Sequence, residues 1–165
     1  MTAPELQLGQ IVFAATPRLS SISEADASRP RSNGKWSRKE IVGHLIDSAT
    51  NNHGRFVRAQ FGDDLVSPTY DQDAWVRVQN YIRAPWAELV TLWSQYNLHL
   101  TRVIAAIPPE ARSRRRFHHN LHDVAFRTIP ASEPATLEYL IQDYVVHLEH
   151  HLAQIFAPDE GEMTL

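Results

Sequence analysis

The chain has 165 residues, a formal net charge of −3 with its histidines neutral, 43% hydrophobic and 21% charged residues, and no cysteine. That balance supports one folded core rather than disorder, so residues 1–165 are read as a single domain. It excludes disulfides, thiolate metal ligands and a cysteine nucleophile, and it offers no global attraction for nucleic acid or anionic lipid. No apolar run approaches the roughly 20 residues of a membrane helix. The first ten residues carry Glu5 and neither Lys nor Arg, unlike a secretory leader. The expectation is a cytoplasmic protein that engages neither nucleic acid nor a membrane.

Leu6, Leu8, Ile11, Val12 and Ala15 give a first helix over residues 4–16, with Pro17 placed to kink or end it and Leu19 and Ile22 to extend it. Residues 24–35, polar and containing Pro30 and Gly34, read as a loop. Ser37 and Glu40 have the spacing of a capping box. Behind them Ile41, Leu45, Ala49, Asn52 and Phe56 continue a second helix to Phe61, stopped by Gly62-Asp63-Asp64. A connector over 62–70 leads to a short helix over Asp71–Tyr81. Pro85 suits the first turn of a third long helix, which runs to Ile107 and is ended by Pro108-Pro109. Residues 110–135 are irregular and carry Arg112, Arg114, Arg115 and Arg116 beside His118, His119 and His122. A last helix spans Thr136–Phe156, with Leu137, Leu140, Ile141, Tyr144, Leu148, Leu152 and Ile155 as its stripe. Four long helices without a strand pattern predict an all-α bundle.

Nine histidines are the oddity of the composition. At roughly 100° per residue, His151 falls just inside the edge of the last helix's apolar stripe and His147 slightly further out on the same side, while His150 points towards solvent. Imidazoles at i and i+4 on one helix can grip one metal ion. His44, beside the stripe of the second helix and in line with Ser48, Asn51 and Arg55, supplies a third ligand from a facing helix. Three neutral ligands leave positions open for water or substrate. The plain alternatives are a hydrogen-bonded interface histidine at His44 and a second cluster at His118, His119 and His122. The arginine run reads as a solvated loop.

The stretch Trp36-Ser37-x-x-Glu40-Ile41-Val42-x-His44-Leu45-x-Asp47-Ser48, continuing to Asn51-Asn52 and Arg55-Phe56, resembles the second helix of the DinB/YfiT-like superfamily. Val146-His147-Leu148-Glu149-His150-His151-Leu152-Ala153-Gln154-Ile155 resembles its last helix, and Phe117-His118 followed by Thr136-Leu137 resembles the lead-in. The resemblance implies a four-helix bundle of up-down-down-up topology, commonly a homodimer. It also implies a metal held by His44, His147 and His151, with His150 outside the ligand set. Characterised members of that superfamily include bacillithiol S-transferases and mycothiol-dependent maleylpyruvate isomerases.

The leading expectation is therefore a transferase that joins a low-molecular-weight thiol to a small electrophile. One divalent ion, zinc, nickel or iron, would hold the thiol as thiolate, with Asn51 and Arg55 orienting a carboxylate of thiol or acceptor. A metal-dependent hydrolase is the alternative and would need a general base, for which Asp47, Asp143 and Glu149 are available. A non-enzymatic metal-binding bundle is the third.

Overall fold

The computed structural model describes residues 3–32 and 34–158, and among these no strand forms. The helices are α1 (Pro4–Ser20), α2 (Glu24–Ser28), α3 (Arg38–Arg58), α4 (Gln72–Gln79), a 3₁₀ turn (Tyr81–Arg83), α5 (Trp86–Ala105), α6 (Pro109–Ser113), α7 (Leu121–Val124) and α8 (Leu137–Phe156). The four long ones, α1, α3, α5 and α8, make the bundle. No described helix is long and apolar enough to cross a membrane.

Local chemistry sets the ends of α3 and α8. The Ser37 amide donates to Glu40 Oε2 at 2.8 Å and the Glu40 amide to Ser37 Oγ at 3.3 Å, so the capping box starts α3. Thr136 caps α8 by accepting from the Tyr139 amide. The second helix stops three residues short of the expected Phe61. The fully buried Arg116 reaches in to donate to the Ala59 carbonyl at 2.8 Å, capping a chain that has already tightened into a turn. Two further departures are instructive. Pro17 lies inside α1, because Leu19 beyond it is fully buried and its carbonyl accepts from the Trp86 indole at 2.9 Å. Within the expected loop 24–35, Ser23 accepts from the Asp26 amide and nucleates the short α2, whose Ala27 is buried.

Cross-helix contacts fix the sense of each helix. Arg38 Nε donates to the Ile155 carbonyl at one end of the α3–α8 pair, and Phe56 meets Tyr144 towards the other, so these helices run antiparallel. The Trp86–Leu19 bond and the nearness of Gly9 to Thr101 make α1 and α5 antiparallel. Lys39 beside Ile82 and His53 beside Tyr96 make α3 and α5 parallel. The core is built from large side chains of all four, including Leu8, Phe56, Trp93, Leu100 and Tyr144. Its consequence for function is the α3–α8 seam, which faces the first half of α3 towards the last half of α8.

Gly43 shows how the connector is fastened to that seam. A Cβ there would stand 2.1 Å from Cδ2 of Tyr81, so only glycine lets the tyrosine ring lie on α3. The Tyr81 hydroxyl then donates to Asp47 Oδ1 at 2.6 Å, as does Gln79 Nε2 at 2.6 Å. We expect Gly43→Ala to lower stability by about 1–3 kcal/mol through overpacking, although alanine favours helix by about 1 kcal/mol. Urea unfolding measures it, and an unchanged or raised midpoint would mean that Tyr81 does not pack as described.

Candidate metal centre

The seam brings three imidazoles together. His44 of α3 is buried, and His147 and His151 of α8 are half-buried. Their ring centres are 5.1 Å apart for His44–His147, 4.7 Å for His44–His151 and 4.6 Å for His147–His151. One ring nitrogen from each lies within 4.8 Å of the others. With nitrogen–metal bonds of about 2.0–2.1 Å and ring centres about 1.1 Å behind their nitrogens, imidazoles sharing one ion at near-tetrahedral angles have centres about 5 Å apart. The donor set and its spacing fit one divalent cation.

The surrounding hydrogen bonds prepare the rings for that role. Nδ1–H of His151 donates to Gln154 Oε1 at 2.8 Å, and the amide's other end, Nε2, donates to Nε2 of His150 at 3.0 Å. His150, exposed, thus orients the glutamine that orients His151. His147 Nδ1 lies 3.3 Å from Ser48 Oγ, and Nδ1–H donating there leaves its Nε2 as a bare lone pair. That Nε2 is 3.1 Å from Nε2 of His44, whose Nδ1 is buried without a hydrogen-bond partner. Two neutral nitrogens this close need a proton or a cation between them. Burial, with repulsion from His151 added, pushes the His44 pKa down to about 4. Burial, with repulsion from His151 and His44, takes His147 to about 3, and burial lowers His151 too. At neutral pH all three are uncharged bases, the protonation state that a metal requires.

The rings stand between two cavities. His44 and His147 wall one of about 230 Å³ together with Asn52, Arg55, Tyr70, Asp123 and Asp143. His151 and Gln154 wall a wider one of about 540 Å³ with Trp36 and Ile41, and Gln72 borders both. Arg55 lies on the wall of the first, as its line with His44 suggested. Asn51 does not. Its amide donates to the Asp47 carbonyl at 2.9 Å, and Asn52, about 100° further round the helix, takes the wall position.

The carboxylates considered as bases are engaged elsewhere. Asp47 accepts from Tyr81 and Gln79, and Glu149 is exposed near Gln7. Asp143 walls the cavity, but its oxygens accept from the Phe126 and Arg127 amides at 2.8 Å each. The His118–His122 cluster is dispersed: His119 donates to the Glu133 carbonyl and accepts from the Leu121 amide, so both its nitrogens are committed. His118 and His122 lie beside Asp64 and Asp123 instead. Tyr70 and Phe126, from irregular segments without periodicity, were not recognisable as site residues in the sequence.

A model of the DinB superfamily matches residues 14–155. The chain belongs to the DinB superfamily. A relative from Bacillus subtilis, YfiT, provisionally assigned as a metal-dependent hydrolase, is 22% identical over 134 residues, covering 81% of this chain and 70% of YfiT. The solved structure of YfiT, a four-helix bundle, aligns with a TM-score of 0.72 over 92% of this chain and 81% of that one, at 22% identity. The crystal structure of a mycothiol-dependent maleylpyruvate isomerase aligns with a TM-score of 0.60 at 18% identity, over 99% of this chain and 68% of that one. At these identities the structures share the DinB fold with this chain.

The depressed histidine pKa values have a measurable consequence. Below the unfolded value of 6.5, the unfolded chain takes up protons on these rings that the folded chain does not, so stability rises with pH in that window. Metal-stripped protein should lose urea resistance as the pH falls from 6.5 to about 5, and His147→Gln should flatten that dependence. Identical slopes for wild type and variant would contradict the burial assigned to His147.

Proposed function

We propose that this DinB protein is a metal-dependent transferase that conjugates a low-molecular-weight thiol to a small electrophile, and that His44, His147 and His151 hold its one divalent ion. The observation that carries the reading is the triad itself: three uncharged imidazoles, held in register by Ser48 and Gln154, bordering cavities on two sides. Two reactants can then approach one centre from different directions. When bound, the ion supplies a Lewis acid that keeps a coordinated thiol deprotonated near neutral pH. The absence of cysteine leaves no protein thiol to compete. Imidazole ligands suit zinc, nickel or iron, with availability deciding among them.

The protein's own side chains orient the centre and line its approach. Ser48 and Gln154 fix the ring orientations, Tyr70 and Phe126 line the cavity beside them, and the Arg55 guanidinium offers paired donors to an anionic group. Asn51, tied to the Asp47 carbonyl, supports α3 rather than a ligand. A cytoplasmic homodimer completes the reading, with no nucleic acid or membrane partner. The mycothiol dependence of one structural neighbour agrees with thiol chemistry. The provisional assignment of YfiT favours hydrolysis instead, but Asp143, a carboxylate on the cavity wall, is held by the Phe126 and Arg127 amides rather than free to turn towards a bound water.

Cobalt-substituted protein titrated with bacillithiol, mycothiol and glutathione tests this reading. One of them should raise a sulfur-to-metal charge-transfer band and release a proton on binding. Thiol-independent hydrolysis of simple esters or amides, with no thiol perturbing the cobalt spectrum, would establish the hydrolase instead.

A further inference from the structure

Arg55 is a buried charge without a salt bridge. It is 6% exposed, and among the described residues no carboxylate oxygen lies within 4.0 Å of its guanidinium. Its hydrogen bonds are long and go to neutral acceptors: Asn52 Oδ1 at 3.3 Å, the Val124 carbonyl at 3.4 Å and the Pro68 carbonyl at 3.4 Å. A guanidinium stays charged in proteins, and holding one this deep without a paired anion is costly. Asp143, the acid closest to meeting that need, spends its oxygens on the Phe126 and Arg127 amides and on Arg127 Nε at 3.5 Å. The cavity that Arg55 shares with His44 and His147 also has Asp123 and Asp143 on its wall, but Asp143 is paired with Arg127 and Asp123 lies beside His122, which leaves Arg55 as the cation there without a salt bridge; the half-buried Tyr70, its phenol pushed up to about 12 by burial, stays protonated as a further donor.

Size decides what kind of anion fits. About 230 Å³ is below the roughly 300–1,000 Å³ of pockets that enclose drug-sized ligands. A small organic acid is accommodated within it whole, whereas a sugar-linked or tripeptide thiol would extend beyond it. We infer that this cavity is the acceptor subsite and takes a small organic carboxylate, its carboxylate forked on Arg55 and its far end against His44 and His147. The thiol then enters from the wider cavity beside His151. Only the far end of the ligand depends on the metal reading; the Arg55 end stands without it.

Calorimetric titration with maleate, acetate and benzoate, and with neutral maleamide as control, tests the inference on protein as purified and after chelation. At least one acid should bind, maleamide should bind at least tenfold more weakly than maleate, and Arg55→Met should weaken the acid at least tenfold while leaving metal content unchanged. Arg55→Lys, which keeps the charge but loses the fork, should fall between. Chelated protein should retain the Arg55-dependent part. Should Arg55→Met fail to fold, Arg55→Lys and the maleate–maleamide comparison on wild type decide the matter. Equal binding of acid and amide, or acid binding indifferent to Arg55, would overturn the inference. Acid binding that is lost on chelation but unaffected at Arg55 would overturn it while leaving the metal reading intact. Arg55-dependent binding in a protein that takes up no metal would do the reverse.

Discussion

Three neutral imidazoles packed into mutual contact, without an acid to protonate them or a carboxylate to pair with, form the constraint around which this bundle is arranged. Burial disfavours a proton on every ring, and His151 adds repulsion against protonation of both His44 and His147. Proteins retain such arrangements when something other than a proton occupies the lone pairs. The antiparallel packing of α3 on α8 sets His44 opposite the i, i+4 pair, and Ser48 and Gln154 turn the rings so that their lone pairs converge.

The irregular parts of the chain serve the same seam. Gly43 admits the Tyr81 ring, whose hydroxyl joins Gln79 on Asp47, and this latch ties the segment from α4 to the 3₁₀ turn onto α3 one turn from His44. The connector before α4 supplies Tyr70, and the stretch after α7 supplies Phe126, whose ring lies 5.3 Å from that of His147. The long helices thus hold the candidate ligands, and the connections between them shape what can approach. Positive charge from Arg55 on the same wall also disfavours protonation of His147, so cavity and triad reinforce one state.

Much of this was legible in the sequence because helical periodicity is a strong local signal. The four long helices, the capping box and the positions of His44, His147 and His151 all follow from spacing at 3.6 residues per turn. What spacing hides is rotation by a single residue and any contact made by irregular chain. Asn51 and Asn52 differ by one step on α3, yet only Asn52 faces the cavity. The short α2 was unreadable because five residues carry too little periodicity against a polar background. Pro17 left open whether α1 kinks, ends or extends through Leu19, and the tertiary burial of Leu19 decides for extension to Ser20. His53 and His99, which pack beside Tyr96 on the α3–α5 face, have no histidine three or four residues away on their own helices to single them out in the sequence.

The most direct test of the account is elemental analysis of protein purified without a histidine tag, comparing wild type with single alanine variants of His44, His147, His150 and His151. The account predicts one divalent ion per chain in wild type, a sharp loss in the His44, His147 and His151 variants, and most of the metal retained in His150→Ala, because Nε2 of His150 is turned to Gln154 and the ring stands outside the converging three. A wild type that takes up no divalent ion, or a His150→Ala variant that loses it while His147→Ala keeps it, would contradict the assignment of the centre.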